Sequence, residues 1–149
     1  MAIYNSPRRD RRDLQVFGPR IEVEIGLPLI SDPSGPPPKF SKMPALIDTG
    51  ARLTLLTPQA VERVGLRKVN EMQLARAGGI TENVGVYVAS IQFPRSELAA
   101  IEIIEVACCE LPEQPMQCLI GRDILSRWLF NYAGPAGHWT INDQDGKNT

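Results

Sequence analysis

Asp48 stands where an acid is costly. Ala45, Leu46 and Ile47 run straight into it, and Thr49, Gly50 and Ala51 follow. Desolvation after an apolar run disfavours the charged carboxylate, so the acid needs a partner, a metal or a task. Metal chemistry is poorly supplied: there is one histidine, His138, and no Cys-x-x-Cys or His-Glu-x-x-His spacing. A Ser-His-Asp or Cys-His site would have to use His138, and no Gly-x-Ser-x-Gly elbow accompanies it. No Gly-x-x-x-x-Gly-Lys loop offers a phosphate cradle. Carboxylate chemistry remains. Amide hydrolysis by carboxylates alone needs two that share one proton, one taking a proton from water and the other giving one to the carbonyl; like charges about 3 Å apart cannot both ionise, so their pKa values split. Thr49 supplies a small hydroxyl that can brace the turn, and Gly50 lets backbone approach the carboxylate with no Cβ in the way.

The elements around this turn can be read in order. Arg20–Gly26 alternates, with Ile21, Val23 and Ile25 on one face, and reads as a half-buried strand. A Pro-rich loop leads to a short strand at residues 44–47, which delivers Asp48, and residues 52–56 lead out as a second short strand. Thr57 and Pro58 fit the N-cap and first position of a helix that Gly65 ends. Residues 68–76 and 83–93 read as a long hairpin with a glycine turn at Ala77, Gly78, Gly79, Ile80 and Thr81. Residues 101–107 form another strand, with Ile101 and Ile103 inward. Cys118, Leu119 and Ile120 repeat the apolar approach to a turn at Gly121, Arg122 and Asp123, and a short helix follows with Ile124, Leu125 and Trp128 on one stripe. Residues 130–133 and 138–141 close the chain as a hairpin.

The whole is 149 residues, room for one core. Apolar residues make up 43% and charged ones 22%, and thirteen prolines and twelve glycines favour a turn-rich, mainly β chain. The net charge of −1 sets up no field for nucleic acid or a membrane, and no apolar run is long enough to span a bilayer. Arg8, Arg9, Arg11 and Arg12 lie among acids in residues 1–19, read as a flexible polar arm. The three cysteines, Cys108, Cys109 and Cys118, are odd in number and two are adjacent, which fits free thiols in a reducing compartment and a cytoplasmic location.

Residues 45–51 resemble the Asp-Thr-Gly-Ala signature of retropepsin-like aspartic proteases. Three further matches come in that family's order: the Gly78-Gly79 hairpin where the family carries its flap, Leu119-Ile120-Gly121 like the strand beside the active-site loop, and Arg122-Asp123-Ile124-Leu125 like the helix after it. The resemblance spans residues 20–130, and the C-terminal hairpin is closer to bacterial members than to viral ones. It implies a mainly β, retropepsin-like acid protease fold, a closed, orthogonal β-barrel-like half with a flap hairpin and one or two short helices. The expected organisation is a polar arm at 1–19, the protease domain at 20–141 and a polar tail at 142–149.

The implied activity is that of an aspartic endopeptidase acting on extended peptides or proteins without a cofactor. Asp48 is the implied catalytic residue; Thr49, Gly50 and Ala51 support its loop. Residues Ala77, Gly78, Gly79, Ile80 and Thr81 are the implied flap, and Leu119, Ile120, Gly121, Arg122 and Asp123 the structural support. Neither Asp32 nor Asp145 follows an apolar strand, so a dyad requires two copies of Asp48 across a two-fold axis, a homodimer. The resemblance implies that Arg20–Gly26 and the C-terminal hairpin build its interface. The chain departs from the viral pattern at Arg52, where that pattern has an acid paired with the arginine that Arg122 matches. Arg52 and Arg122 would repel if both pointed inward; Asp123 could relieve this, or Arg52 could face solvent or a substrate acid. The alternative function is a non-catalytic dimeric peptide-binding or assembly domain on the same fold.

Overall fold

The computed structural model describes residues 2–143 apart from 9, 30–33, 77 and 112–115. Its first two elements lie in the stretch expected to be a polar arm. Strand β1 (Ala2–Asn5) and helix α1 (Arg11–Phe17) are both ordered parts of the fold. Asp10 caps α1 by accepting from the Arg12 N–H at 2.9 Å, and Leu14 is the side chain the helix buries. Composition hid both elements: β1 is held by pairing with the far end of the chain, and α1 contributes a single apolar residue to the core.

The centre is a ring of six strands. They are β2 (Arg20–Gly26), β3 (Phe40–Ile47), β8 (Cys118–Ile120), β4 (Leu55–Leu56), β7 (Ile101–Cys108) and β6 (Thr81–Gln92), and a second pairing between β2 and β6 closes the circle. The β3–β8 and β4–β7 pairs are parallel, and the other pairs antiparallel. Closure at Glu24–Gly26 joins the two ends of the ring and fixes inward-facing positions on its strands. Val23 and Ile25 of β2, Met43 and Ala45 of β3, Ile91 of β6, Val106 of β7 and Ile120 of β8 meet in its core. Pro44 is tolerated inside β3 because that strand acquires its second neighbour only from Ala45 onward. The strand expected over residues 52–56 contracts to β4.

Helix α2 (Pro58–Val64) is the element read most closely from sequence. The Thr57 side chain accepts from the Ala60 N–H at 3.3 Å, Pro58 takes the first turn, and Gly65 ends the helix. The helix buries Ala60 and Val61 beside β3. Strand β5 (Arg67–Ala75) stands outside the ring and, among the described residues, pairs only with β6, making the long hairpin. The expectation that Ile101 and Ile103 share the inner face fails at Ile103, which is 65% exposed. Ile101 pairs with Ile91 and Ile104 with Ala89, so β7 spends an extra residue there and its side-chain phase flips.

After β8 come helix α3 (Arg122–Leu125) and strands β9 (Leu129–Ala133) and β10 (His138–Asp143), the last two joined through a 3-10 turn at Gly134–Ala136. Strand β1 adds to β10, giving a second sheet in the order β1-β10-β9. Its inner face carries Tyr4, Phe130 and Trp139 against the barrel core. Strand β2, by contrast, is bonded by β3 along its length and by β6 at Glu24–Gly26. It is a ring strand, and its Arg20–Val23 part has β3 as its one neighbouring strand among the described residues. No helix among the described residues is long and apolar enough to cross a membrane.

Candidate active site

Asp48 sits at the point where β3 ends and the chain must turn. Ile47 is buried in the core, and the Asp48 N–H donates to the Ile120 carbonyl at 2.9 Å, which fixes the turn to β8. The Gly50 N–H then donates to Asp48 Oδ1 at 2.7 Å, a short bond that orients the carboxylate. A Cβ on Gly50 would lie 3.0 Å from the same oxygen, so a larger residue there would crowd the group it holds. Asp48 is half-buried while Thr49 and Gly50 are exposed, which leaves the acid reachable from outside.

Beneath this loop lies a lattice of polar contacts built by β8 and α3. Gly121 packs so tightly that an added Cβ would come within 2.5 Å of the Leu53 carbonyl group and 3.0 Å of the Ala51 oxygen. Its N–H donates to the buried Thr54 hydroxyl at 3.2 Å. That hydroxyl donates in turn to Asp123 Oδ1 at 2.8 Å, and the Thr54 N–H reaches Asp123 Oδ2 at 3.0 Å. The Arg122 N–H donates to Ala51 O at 2.8 Å, and the Asp123 N–H to Arg52 O at 3.2 Å. Each polar group under the turn thus has a partner, which keeps the loop in one shape.

The arginine question resolves without an Arg–Asp pair. The Arg122 guanidinium donates to the Thr49 carbonyl at 2.8 Å. Asp123 spends its carboxylate on Thr54 and on the Ile124 N–H at 2.8 Å. Arg52 is exposed, and it makes no ion pair with a described residue.

Asp48 opens onto a cleft of about 760 Å³. One wall is the loop itself, from Gly50 to Leu53; another is the end of β5 from Met72 to Ala75, with Arg76 after it. Leu46, Leu55, Cys109, Leu111, Met116, Cys118 and Leu119 also line it, together with Glu110 and Arg122. Several of these belong to a second apolar cluster, separate from the barrel core, that underlies the hairpin. Arg76 ties the hairpin down: its guanidinium holds Glu82 Oε1 at 2.7 Å and donates to the Glu110 carbonyl at 3.1 Å. The Arg76 N–H also closes the turn onto Ile80 O at 2.7 Å.

The cysteines are free and serve as packing. Burial pushes the Cys118 thiol up to about 12, and the charge of Asp123 adds to the shift. Burial also raises Cys109, partly offset by Arg76. Neither thiol is a nucleophile in this state. Among the described residues, no three His, Cys, Asp or Glu side chains gather to hold a metal ion.

Asp48, Gly50, Ala51, Leu119 and Arg122 are therefore brought together around one cleft, with Ile120, Gly121 and Asp123 behind them. Thr49 lies beside the cleft and engages through its carbonyl. Gly78, Gly79, Ile80 and Thr81 form the expected hairpin tip but do not line the cleft, and Ile80 is 66% exposed; Ala77 lies outside the described residues. Gly78 and Gly79 adopt φ of 88° and 78°, a conformation that favours glycine. Sequence reasoning missed residues 72–76 and the lining at Cys109, Leu111 and Met116. The alternation of Met72 and Leu74 in an otherwise polar strand was the available signal.

Among solved structures, a retropepsin-like aspartic protease from Rickettsia conorii is 14% identical, with a TM-score of 0.52, covering 94% of this chain and 91% of that one. EIAV protease in complex with an inhibitor is 20% identical over 72% of this chain and 85% of that chain, with a TM-score of 0.47. The retroviral protease-like domain of Ddi1 from Leishmania major is 17% identical over 73% and 78%, with a TM-score of 0.39. A search of curated proteins found no match. The model of the family described as gag-polyprotein putative aspartyl protease matches residues 41–127, a stretch that runs from β3 through α3 and holds both glycine turns and the hairpin. With more than half of its length inside that match and a barrel of the retropepsin-like kind around it, the chain belongs to this aspartyl protease family.

Proposed function

We propose that the protein is an aspartic endopeptidase whose active site is shared by two copies of the chain. The observation that carries this reading is Asp48, half-buried, held by the Gly50 N–H at 2.7 Å and opening on a largely apolar cleft. One carboxylate cannot be base and acid in the same step. Two copies of Asp48 facing each other would hold one proton between them. The ionised member takes a proton from water as the oxygen attacks the peptide carbonyl; the protonated member gives its proton to the carbonyl oxygen. The tetrahedral intermediate then collapses, the C–N bond breaks, and the amine leaves with a proton returned from the dyad. Thr49 and Gly50 hold the loop, Gly121 and Asp123 support it from below, and the hairpin covers an extended peptide and adds strand-like hydrogen bonds to its backbone.

The test is cleavage of an unfolded protein at acidic pH by the parent chain and by Asp48→Asn, with a statine-type transition-state analogue as inhibitor. Cleavage that is lost in the variant and blocked by the analogue supports the reading. Equal cleavage by both chains overturns it. Peptide binding without turnover by the parent establishes the alternative, a non-catalytic peptide-binding domain.

A further inference from the structure

Three guanidinium groups line the cleft: Arg52, Arg76 and Arg122. Two are already used. Arg76 is spent on Glu82 and the Glu110 carbonyl, and Arg122 on the Thr49 carbonyl. Arg52 has its backbone fixed, because its carbonyl accepts from the Asp123 N–H at 3.2 Å. Its side chain is exposed and meets no acid among the described residues. The chain thus anchors Arg52 by its backbone beside the cleft, four residues after Asp48, and leaves its charge without an acid among the described residues.

We infer that Arg52 is a specificity-determining residue that selects peptides with an Asp or Glu side chain near the bond positioned at Asp48. The occupant's chemistry follows from the walls. Leu53, Met72, Leu74, Leu111 and Met116 take apolar side chains next to that bond, and Arg52 takes a carboxylate further along the extended chain. Arg52 is exposed, so the contact is in reach of water and discriminates by a modest factor. The expected preference for Glu over its neutral isostere Gln is about two- to fivefold, and it weakens as salt is raised. This inference rests on the cleft being the peptide site.

The experiment measures binding apart from turnover. Fluorescein-labelled peptides with a central Leu-Phe pair, and one Glu or one Gln at successive positions on either side, are titrated against Asp48→Asn and against Asp48→Asn with Arg52→Gln or Arg52→Glu. The expected result is a Glu preference at one position, lost in Arg52→Gln and replaced by a preference for a matching Lys peptide in Arg52→Glu. Equal binding of every Glu and Gln pair to the Arg52 chain overturns the inference. So does a preference that persists in Arg52→Gln, or an Arg52→Gln that changes only the monomer–dimer equilibrium. Because Asp48→Asn is used throughout, a failure of the hydrolytic reading leaves this measurement intact.

Discussion

Asp123 grips Thr54 twice, taking the backbone N–H on one carboxylate oxygen at 3.0 Å and the hydroxyl on the other at 2.8 Å. The two residues are sixty-nine positions apart in sequence. The same hydroxyl accepts from the Gly121 N–H, so one buried oxygen joins the outgoing and supporting segments of the Asp48 loop.

Thr54→Val keeps the shape of that side chain and removes its oxygen. The Gly121 N–H loses its partner and the Asp123 carboxylate loses a donor. A hydrogen bond to a charged group contributes about 1.5–3 kcal/mol, and a stranded buried donor adds to the loss. The expected outcome is a destabilisation of about 2–4 kcal/mol in urea unfolding, with Thr54→Ser keeping most of the parent's stability.

Gly121→Ala is expected to fail on packing alone. The new methyl would meet the Leu53 carbonyl at 2.5 Å, and backbone yields less readily than a side chain. Overpacking of a tight site costs about 1–3 kcal/mol, and here the displacement reaches the Asp48 loop. Thermal unfolding should show the loss, and cleavage should fall by more than the unfolded fraction accounts for.

A site shared by two copies makes a prediction by mixing. Asp48→Asn added to an equal amount of parent, under conditions where subunits exchange, leaves half of the parent subunits paired with a partner that cannot complete the dyad. Cleavage should fall to about half of the parent's own rate and continue to fall with excess variant. A rate unchanged by the variant would mean that each chain acts alone.

Cys118 gives a pH dependence. Burial holds its thiol well above the ordinary value of 9.0, up to about 12, so the folded chain keeps a proton that the unfolded chain releases. The stabilisation is fully present below pH 9 and is lost as pH rises from there through about 12. Cys118→Ala should flatten the alkaline limb of the stability curve. In the parent, a thiol reagent at neutral pH should leave Cys118 unmodified until the protein is unfolded.

Much of the fold was legible because the signals were local. The Thr57-Pro58 start and Gly65 stop of α2, the alternation of β2 and the Gly78-Gly79 turn each sit within a few residues. The Asp48 turn could be read from its apolar lead in the same way. What escaped was decided at a distance. Strand β1 exists through β10, far along the chain, and the inward face of β7 depends on a bulge set by its pairing with β6. The cleft wall at Met72–Arg76 depends on where the hairpin leans, which no window of sequence around it records.

Strand β6 is shared between the ring and the hairpin, and the two uses overlap only in part. Its pairing with β7 runs from Gly85 to Ile91; from Val84 toward the tip, its only neighbouring strand among the described residues is β5. Met72 faces Val84 across that pair, so the hairpin becomes a cantilever with its fulcrum at this rung. The cleft wall from Met72 to Arg76 lies wholly on the overhanging part. A bend at this rung would move that wall without disturbing the ring pairings, and the Arg76 contact with the Glu110 carbonyl and the packing of Met72 and Leu74 on the second apolar cluster oppose it.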